Sequence, residues 1–123
     1  VLNRLSSKGY YSSAGHFPAL AVSPNGEFRK LTVEGDILGA FEAPHFQLGT
    51  FPIEDGARFC LYTDGALEDF RAGRSWRVGM ERLEKAIGEN RGIPRRDAVT
   101  AVRDSMLSEY PCADDRLLMA VDA

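Results

Sequence analysis

The chain has 123 residues, 44% of them hydrophobic, with 15 Lys and Arg against 18 Asp and Glu and a formal net charge of −3. That describes one soluble domain, large enough to bury roughly two-thirds of the surface its unfolded chain exposes without help from disulfides or a structural metal. The acidic balance and the lack of any dense Lys/Arg run exclude a protein built to grip a nucleic-acid backbone, and no run approaches the ~18 apolar residues of a membrane span. Cys60 and Cys112 lie far apart, outside any zinc or redox spacing, and read as two free thiols in a cytoplasmic protein. The chain begins with Val1 and not Met, so the expectation is that the native start lies upstream.

From Lys8 to Val22 the sequence reads as two short β segments broken at Gly15 and Pro18, because proline cannot donate to a central ladder. Ser23-Pro24-Asn25-Gly26 is a turn, and the alternating run Phe28 to Val33 is the returning strand of a hairpin. Glu34 to Pro44 carries three breaks and reads as a crossing loop with Ile37 and Leu38 tucked into the core. His45 to Ile53 is a strand, Glu54-Asp55-Gly56 a turn, and Arg58 to Thr63 a strand with Phe59, Leu61 and Thr63 on one face and Arg58, Cys60 and Tyr62 on the other.

Glu68 to Gly79 is polar and Arg-rich with two glycines and fits a surface loop. Helical periodicity begins at Met80, where Met80, Leu83, Ala86 and Ile87 share one face. Pro94 opens a second helix, whose stripe Ala98, Val99, Val102 and Met106 runs to about Ser108, and Pro111 ends it. Leu117 to Val121 is a last strand. Both it and Arg58 to Thr63 read as central strands. The order is antiparallel strands, two helices and a returning strand, which is α+β in layers with no internal boundary.

Two acidic positions adjoin strongly apolar strands: Asp64 follows one, and Asp114-Asp115 precede the other. If those strands pair antiparallel, Asp64 and Asp114 meet at one sheet edge. Carboxylates gathered without basic neighbours repel unless a hard cation lies between them, and oxygen ligands suit Mg²⁺ or Mn²⁺. Asp-Gly is also a common turn dipeptide, so spacing by itself leaves an ordinary turn open.

Ser13-Ala14-Gly15-His16-Phe17-Pro18, Leu38-Gly39, Asp55-Gly56, Leu61-Tyr62-Thr63-Asp64-Gly65, Val78-Gly79 with Arg82-Leu83, and Asp114-Asp115 occur in this order over about 110 residues. The set resembles the PPM family of metal-dependent protein serine/threonine phosphatases, and within it the bacterial stage II sporulation protein E branch. The resemblance implies a layered α-β-β-α sandwich of mainly antiparallel sheets with two Mn²⁺ or Mg²⁺ ions at one end. It implies Asp64 and Asp114 as metal ligands. Gly65 and Asp115 stand beside them, with Asp115 as support for the ligands or as a further ligand. The implied activity is hydrolysis of phosphoserine or phosphothreonine by a metal-activated water, on a phosphorylated anti-sigma-factor antagonist in a signalling pathway.

The Gly-Asp and Asp-x-x-Gly-His-Gly motifs of the family's first strands are absent, so the chain matches the C-terminal part of such a domain. The expectations are that it is inactive by itself and that its uncovered edges favour self-association; a non-catalytic domain that binds a signalling partner is the alternative. Leu117 stands where threonine is common in that branch. His16 and His45 read as structural and surface residues, and Arg71, Arg74 and Arg77 as a solvated loop with possible phosphoprotein contacts at Arg71 and Arg74.

Overall fold

The computed structural model describes residues 1–67, 75–107 and 115–123. Strands β1 (Leu2–Asn3), β2 (Lys8–Tyr11) and β5 (Gly49–Pro52) form one antiparallel sheet in the order β1-β2-β5. Strands β3 (Ala19–Val22), β4 (Phe28–Leu31), β6 (Arg58–Tyr62) and β7 (Leu118–Asp122) form a second, in the order β4-β3-β6-β7. Helices α1 (Trp76–Glu89) and α2 (Arg95–Leu107) complete the chain. The α+β reading holds, and the described residues supply three of the four expected layers: helices, sheet, sheet.

The period-two alternation of β6 sorts the core into two clusters. Cys60 and Tyr62 join Leu20 and Val22 beneath the helices, where Met80, Leu83, Ala86, Ile87 and Val102 cover them. Phe59 turns the other way, onto Ala19, Leu31, Ile53 and Ala57 between the sheets. Across that inter-sheet layer Phe51 of β5 meets Phe59 with ring centroids 5.4 Å apart. The hairpin turn at residues 23–26 closes through Gly26 N–H to Ser23 O at 3.0 Å, with Gly26 at φ +94°, a value glycine adopts without a Cβ penalty.

Five expectations change in detail. Ile37 and Leu38 are 61% and 74% exposed, not buried. The segment closes on itself as an arm, with a bridge between Gly35 and Phe46 and a hydrogen bond from Gln47 N–H to Glu34 O, so its tip stands in solvent. The ladder of β5 is shorter than residues 45–53 and that of β4 shorter than 28–33. Strand β1, unremarked in the sequence, pairs with β2. Helix α1 starts at Trp76, four residues before the apolar stripe, because its first turn faces solvent through Trp76, Arg77 and Val78. Finally, β6 is central, but among the described residues β7 has a neighbour on one side only.

Cys60 is free and buried, and burial pushes its thiol up to about 11. It stays a neutral core group at physiological pH, as free buried cysteines do. Cys112, Pro111 and most of the 68–79 loop lie outside the described residues.

At the end of the sheet away from Asp64, Arg58 ties three elements together. Its Nε donates to Asp122 Oδ1 at 2.6 Å, its Nη2 to Asp122 Oδ2 and to Ile93 O, and its Nη1 to Asn90 O. The hydrogen bond from Arg58 holds the Asp122 carboxyl below the usual carboxylate range. A depressed carboxyl stabilises the fold above its unfolded pKa of about 3.9 and ceases to do so as pH falls through the lower folded value. We therefore expect Arg58→Met to cost about 2 kcal/mol at neutral pH in urea unfolding, since four charge-assisted bonds are lost while the half-exposed Asp122 rehydrates. The midpoint of acid unfolding, followed by circular dichroism, should move to higher pH.

Candidate functional site

Strands β6 and β7 pair antiparallel with Tyr62 opposite Leu118. The chain therefore leaves β6 and enters β7 at one sheet edge, the juxtaposition expected from the two acidic positions. Asp64 opens a single 3-10 turn, Asp64–Ala66, held by Ala66 N–H to Thr63 O at 3.0 Å and Leu67 N–H to Asp64 O at 2.7 Å. Its exposed carboxylate accepts the N–H of the buried Gly65 at 2.9 Å. One oxygen is thereby oriented by the backbone while the group faces solvent.

Thr63 fixes what stands opposite. Its Oγ1 donates to Asp115 O at 2.9 Å and accepts Leu117 N–H at 2.9 Å, and its own N–H donates to Leu117 O at 3.2 Å. The pairing of β6 with β7 thus continues past the strand ends, and exposed Asp115 is brought to the edge that carries Asp64. The sequence reading placed Thr63 in the strand and its motif and gave its hydroxyl no role. The available signal was a hydroxyl at the last position of an apolar strand, where a side chain can bond a neighbouring backbone. Thr63→Val removes one donor and one acceptor and leaves Asp115 O and Leu117 N–H to water at this exposed edge; a loss of about 1 kcal/mol in chemical denaturation is expected, with α1 and α2 unaffected by circular dichroism.

Tyr62 seats this edge from below. Its fully buried ring stacks near Phe17 at 6.4 Å, and its hydroxyl donates to Pro18 O at 2.7 Å. Burial first, then the Glu84 charge, raises the phenol to about 12, so it remains a donor. The Ser13–Pro18 turn is consequently anchored at the Asp64 end. Within it, exposed His16 places Nδ1 2.8 Å from Phe17 O, and Ser13 Oγ bonds both His16 N–H and His16 O. These contacts shape the turn. His45 is exposed, its N–H donating to Asp36 Oδ2 at 2.8 Å.

Asp114, Arg71 and Arg74 lie outside the described residues; Arg77 is exposed on the first turn of α1. Among the described residues no three His, Cys, Asp or Glu side chains gather as a metal cluster. The exposed oxygen donors at the edge, Asp64 and Asp115, are of the kind hard divalent ions take, and fewer than a 6- to 8-ligand or octahedral shell requires. The donor set fits such an ion in kind and is incomplete in number.

Comparison with known proteins places this arrangement. The sequence matches the stage II sporulation protein E (SpoIIE) family over residues 1–123, and the chain belongs to that family. Its fold class is thus that of the PPM-type phosphatase domains.

Among solved structures it is similar to the RsbU and RsbW domains of Rv1364c from Mycobacterium tuberculosis, with a TM-score of 0.80 and 22% identity over 93% of this chain and 32% of that one. It is also similar to the phosphatase domain of the cell fate determinant SpoIIE from Bacillus subtilis (Mn presoaked), with a TM-score of 0.65 and 13% identity over 99% of this chain and 53% of that one. A crystal form of that domain without domain swapping gives 0.58 and 12%, over 92% and 48%. At these identities the structures establish the fold, and the chain spans about half the length of the SpoIIE phosphatase domains or less. None of the curated proteins matches it. No helix among the described residues is long and apolar enough to cross a membrane.

Proposed function

We propose that residues 1–123 are the C-terminal part of a phosphatase domain that removes phosphate from serine or threonine of a protein substrate, an anti-sigma-factor antagonist by family resemblance. The observation that supports this most is the single edge to which Thr63 ties both acidic segments. Asp64 and Asp114 would hold Mn²⁺ or Mg²⁺ there, with Asp115 supporting them or adding a ligand, and strands outside this chain would supply the rest. When bound, such ions lower the pKa of a coordinated water and neutralise phosphoryl oxygens.

The chain's own residues do the positioning. Gly65 N–H orients one oxygen of Asp64, and the Thr63 hydroxyl fixes the strand spacing. The arm from Glu34 to Gln47 packs on the anchored turn: a Cβ at Gly15 would press on Ile37. Its exposed Ile37, Leu38 and Phe41 offer an apolar surface of the sort that protein partners cover. Arg71 and Arg74 are proposed from the sequence as phosphoprotein contacts.

Hydrolysis of p-nitrophenyl phosphate and of a phosphoserine peptide with Mn²⁺ tests the reading. The 123 residues alone should turn over near background, and a longer protein that includes the upstream strands should show metal-dependent activity. Metal-dependent turnover by the chain alone would contradict the assignment to part of a domain. A longer protein that is inactive, yet binds a signalling protein, would favour a non-catalytic role.

A further inference from the structure

A cavity of about 320 Å³ opens between α2, the 3-10 turn and the start of β7. Its walls are apolar, with Leu83, Val99, Val102, Met106 and Leu118 among them, and two arginines reach it. Arg103 is already engaged, its Nε on Asp104 Oδ1 at 2.9 Å and its Nη2 on the same oxygen at 2.8 Å. Arg116 differs. Its Nε and Nη1 are shielded from solvent and have no hydrogen-bond partner among the described residues.

The strand period explains how a guanidinium comes to lie there. The ladder with β6 continues back to Leu117, so Arg116 shares the side of Leu118 and Ala120, both of which pack against the helical cluster. Its side chain is thereby directed beneath α2, among aliphatic neighbours. A shielded, unpaired donor on a charged group is costly, and native structures leave few of them. An anionic acceptor satisfies it, whereas a purely apolar ligand leaves it as it is.

We propose that this cavity binds a small amphipathic carboxylate, its head accepting from Arg116 and its tail lying along Val99, Val102 and Met106. Its volume admits about ten methylene-sized groups at roughly 30 Å³ each, the share of liquid volume that a water takes. Charge complementarity selects the head, and the wall chemistry selects the tail. None of the proposed metal ligands takes part, so this site stands independently of the phosphatase reading.

Isothermal titration of the intact chain with decanoate and with decanol tests the site. Decanoate should bind saturably at one equivalent and about tenfold more tightly than decanol, the margin of one charge-assisted hydrogen bond. Arg116→Met keeps the apolar stem and removes the charge; it should abolish the preference for decanoate, with unchanged far-UV circular dichroism. Met106→Trp, which fills the cavity from α2 and keeps the guanidinium, should weaken both ligands. Equal affinity of the two probes for the unaltered chain, absence of saturable binding, or a preference that survives Arg116→Met would overturn the proposal.

Discussion

On the proposed reading of Asp64 as a metal ligand, asparagine in its place is expected to lower metal-dependent phosphatase activity of the longer protein at least about a hundredfold, because the carboxylate loses its charge, and even residues behind the ligands are worth 10–100-fold. The same substitution should leave folding almost untouched. Asparagine keeps an oxygen in the place of the one that accepts Gly65 N–H, and Asp64 is an exposed residue whose loss of charge strands no buried partner. A change within about 0.5 kcal/mol in urea unfolding is therefore expected beside the loss of turnover. Asp115→Asn makes the comparison sharper. If Asp115 only supports the ligands, its loss should be smaller than that of Asp64→Asn at saturating Mn²⁺. Equal losses would make it a ligand in its own right. Undiminished activity in Asp64→Asn would remove Asp64 from the metal site altogether.

Gly79→Ala is the substitution expected to damage the fold most. On helix propensity it should help, since alanine gains about 1 kcal/mol over glycine inside a helix. Packing reverses the sign. Helix α1 crosses the end of the 3-10 turn so closely that a Cβ at Gly79 would run into the backbone carbonyl of Leu67. The obstacle is backbone and cannot swing aside as a side-chain tip can, so either α1 or the Asp64–Ala66 turn must shift. Overpacking of this kind costs about 3 kcal/mol, and more where backbone has to move. Gly88 provides the control within the same helix: a Cβ there meets only the Phe28 ring, at 3.3 Å and 3.5 Å, so Gly88→Ala should be near neutral. Chemical denaturation of the two variants side by side would decide the matter. Because the displaced turn begins at Asp64, Gly79→Ala should also reduce activity in the longer protein.

Gly79 also shows why the sequence reading stopped α1 short. Two glycines in a polar, Arg-rich stretch are the ordinary marks of a loop, and Trp76 to Gly79 falls inside that stretch. Nothing local distinguishes a glycine that loosens a loop from one that lets a helix approach a distant carbonyl. The contact partner, Leu67, is twelve residues away and meaningful only once the layers are stacked. Ile37 and Leu38 misled in the opposite sense. Apolar identity suggested burial, but the arm that carries them closes on its own Gly35 and Phe46, and its approach to the turn at Gly15 leaves most of Ile37 and Leu38 in solvent.

What the sequence determined by itself was whatever follows from period and chain order. The alternation of Arg58 to Tyr62 set the two faces of β6, the spacing of Met80, Leu83, Ala86 and Ile87 set the buried face of α1, and the ordered motifs around Asp64 indicated the family. These are local or linear properties, and each residue's side follows from its neighbours' geometry. Tertiary structure decided the rest, because it depends on which strands become neighbours. Only the Tyr62–Leu118 register puts Asp64 and Asp115 at one edge, lets Thr63 bond both strands, leaves β7 with one side unpaired among the described residues, and turns Arg116 beneath α2 with its Nε and Nη1 unpaired there. Such pairings join residues more than fifty positions apart, and their energies are invisible until the chain has closed the loops between them.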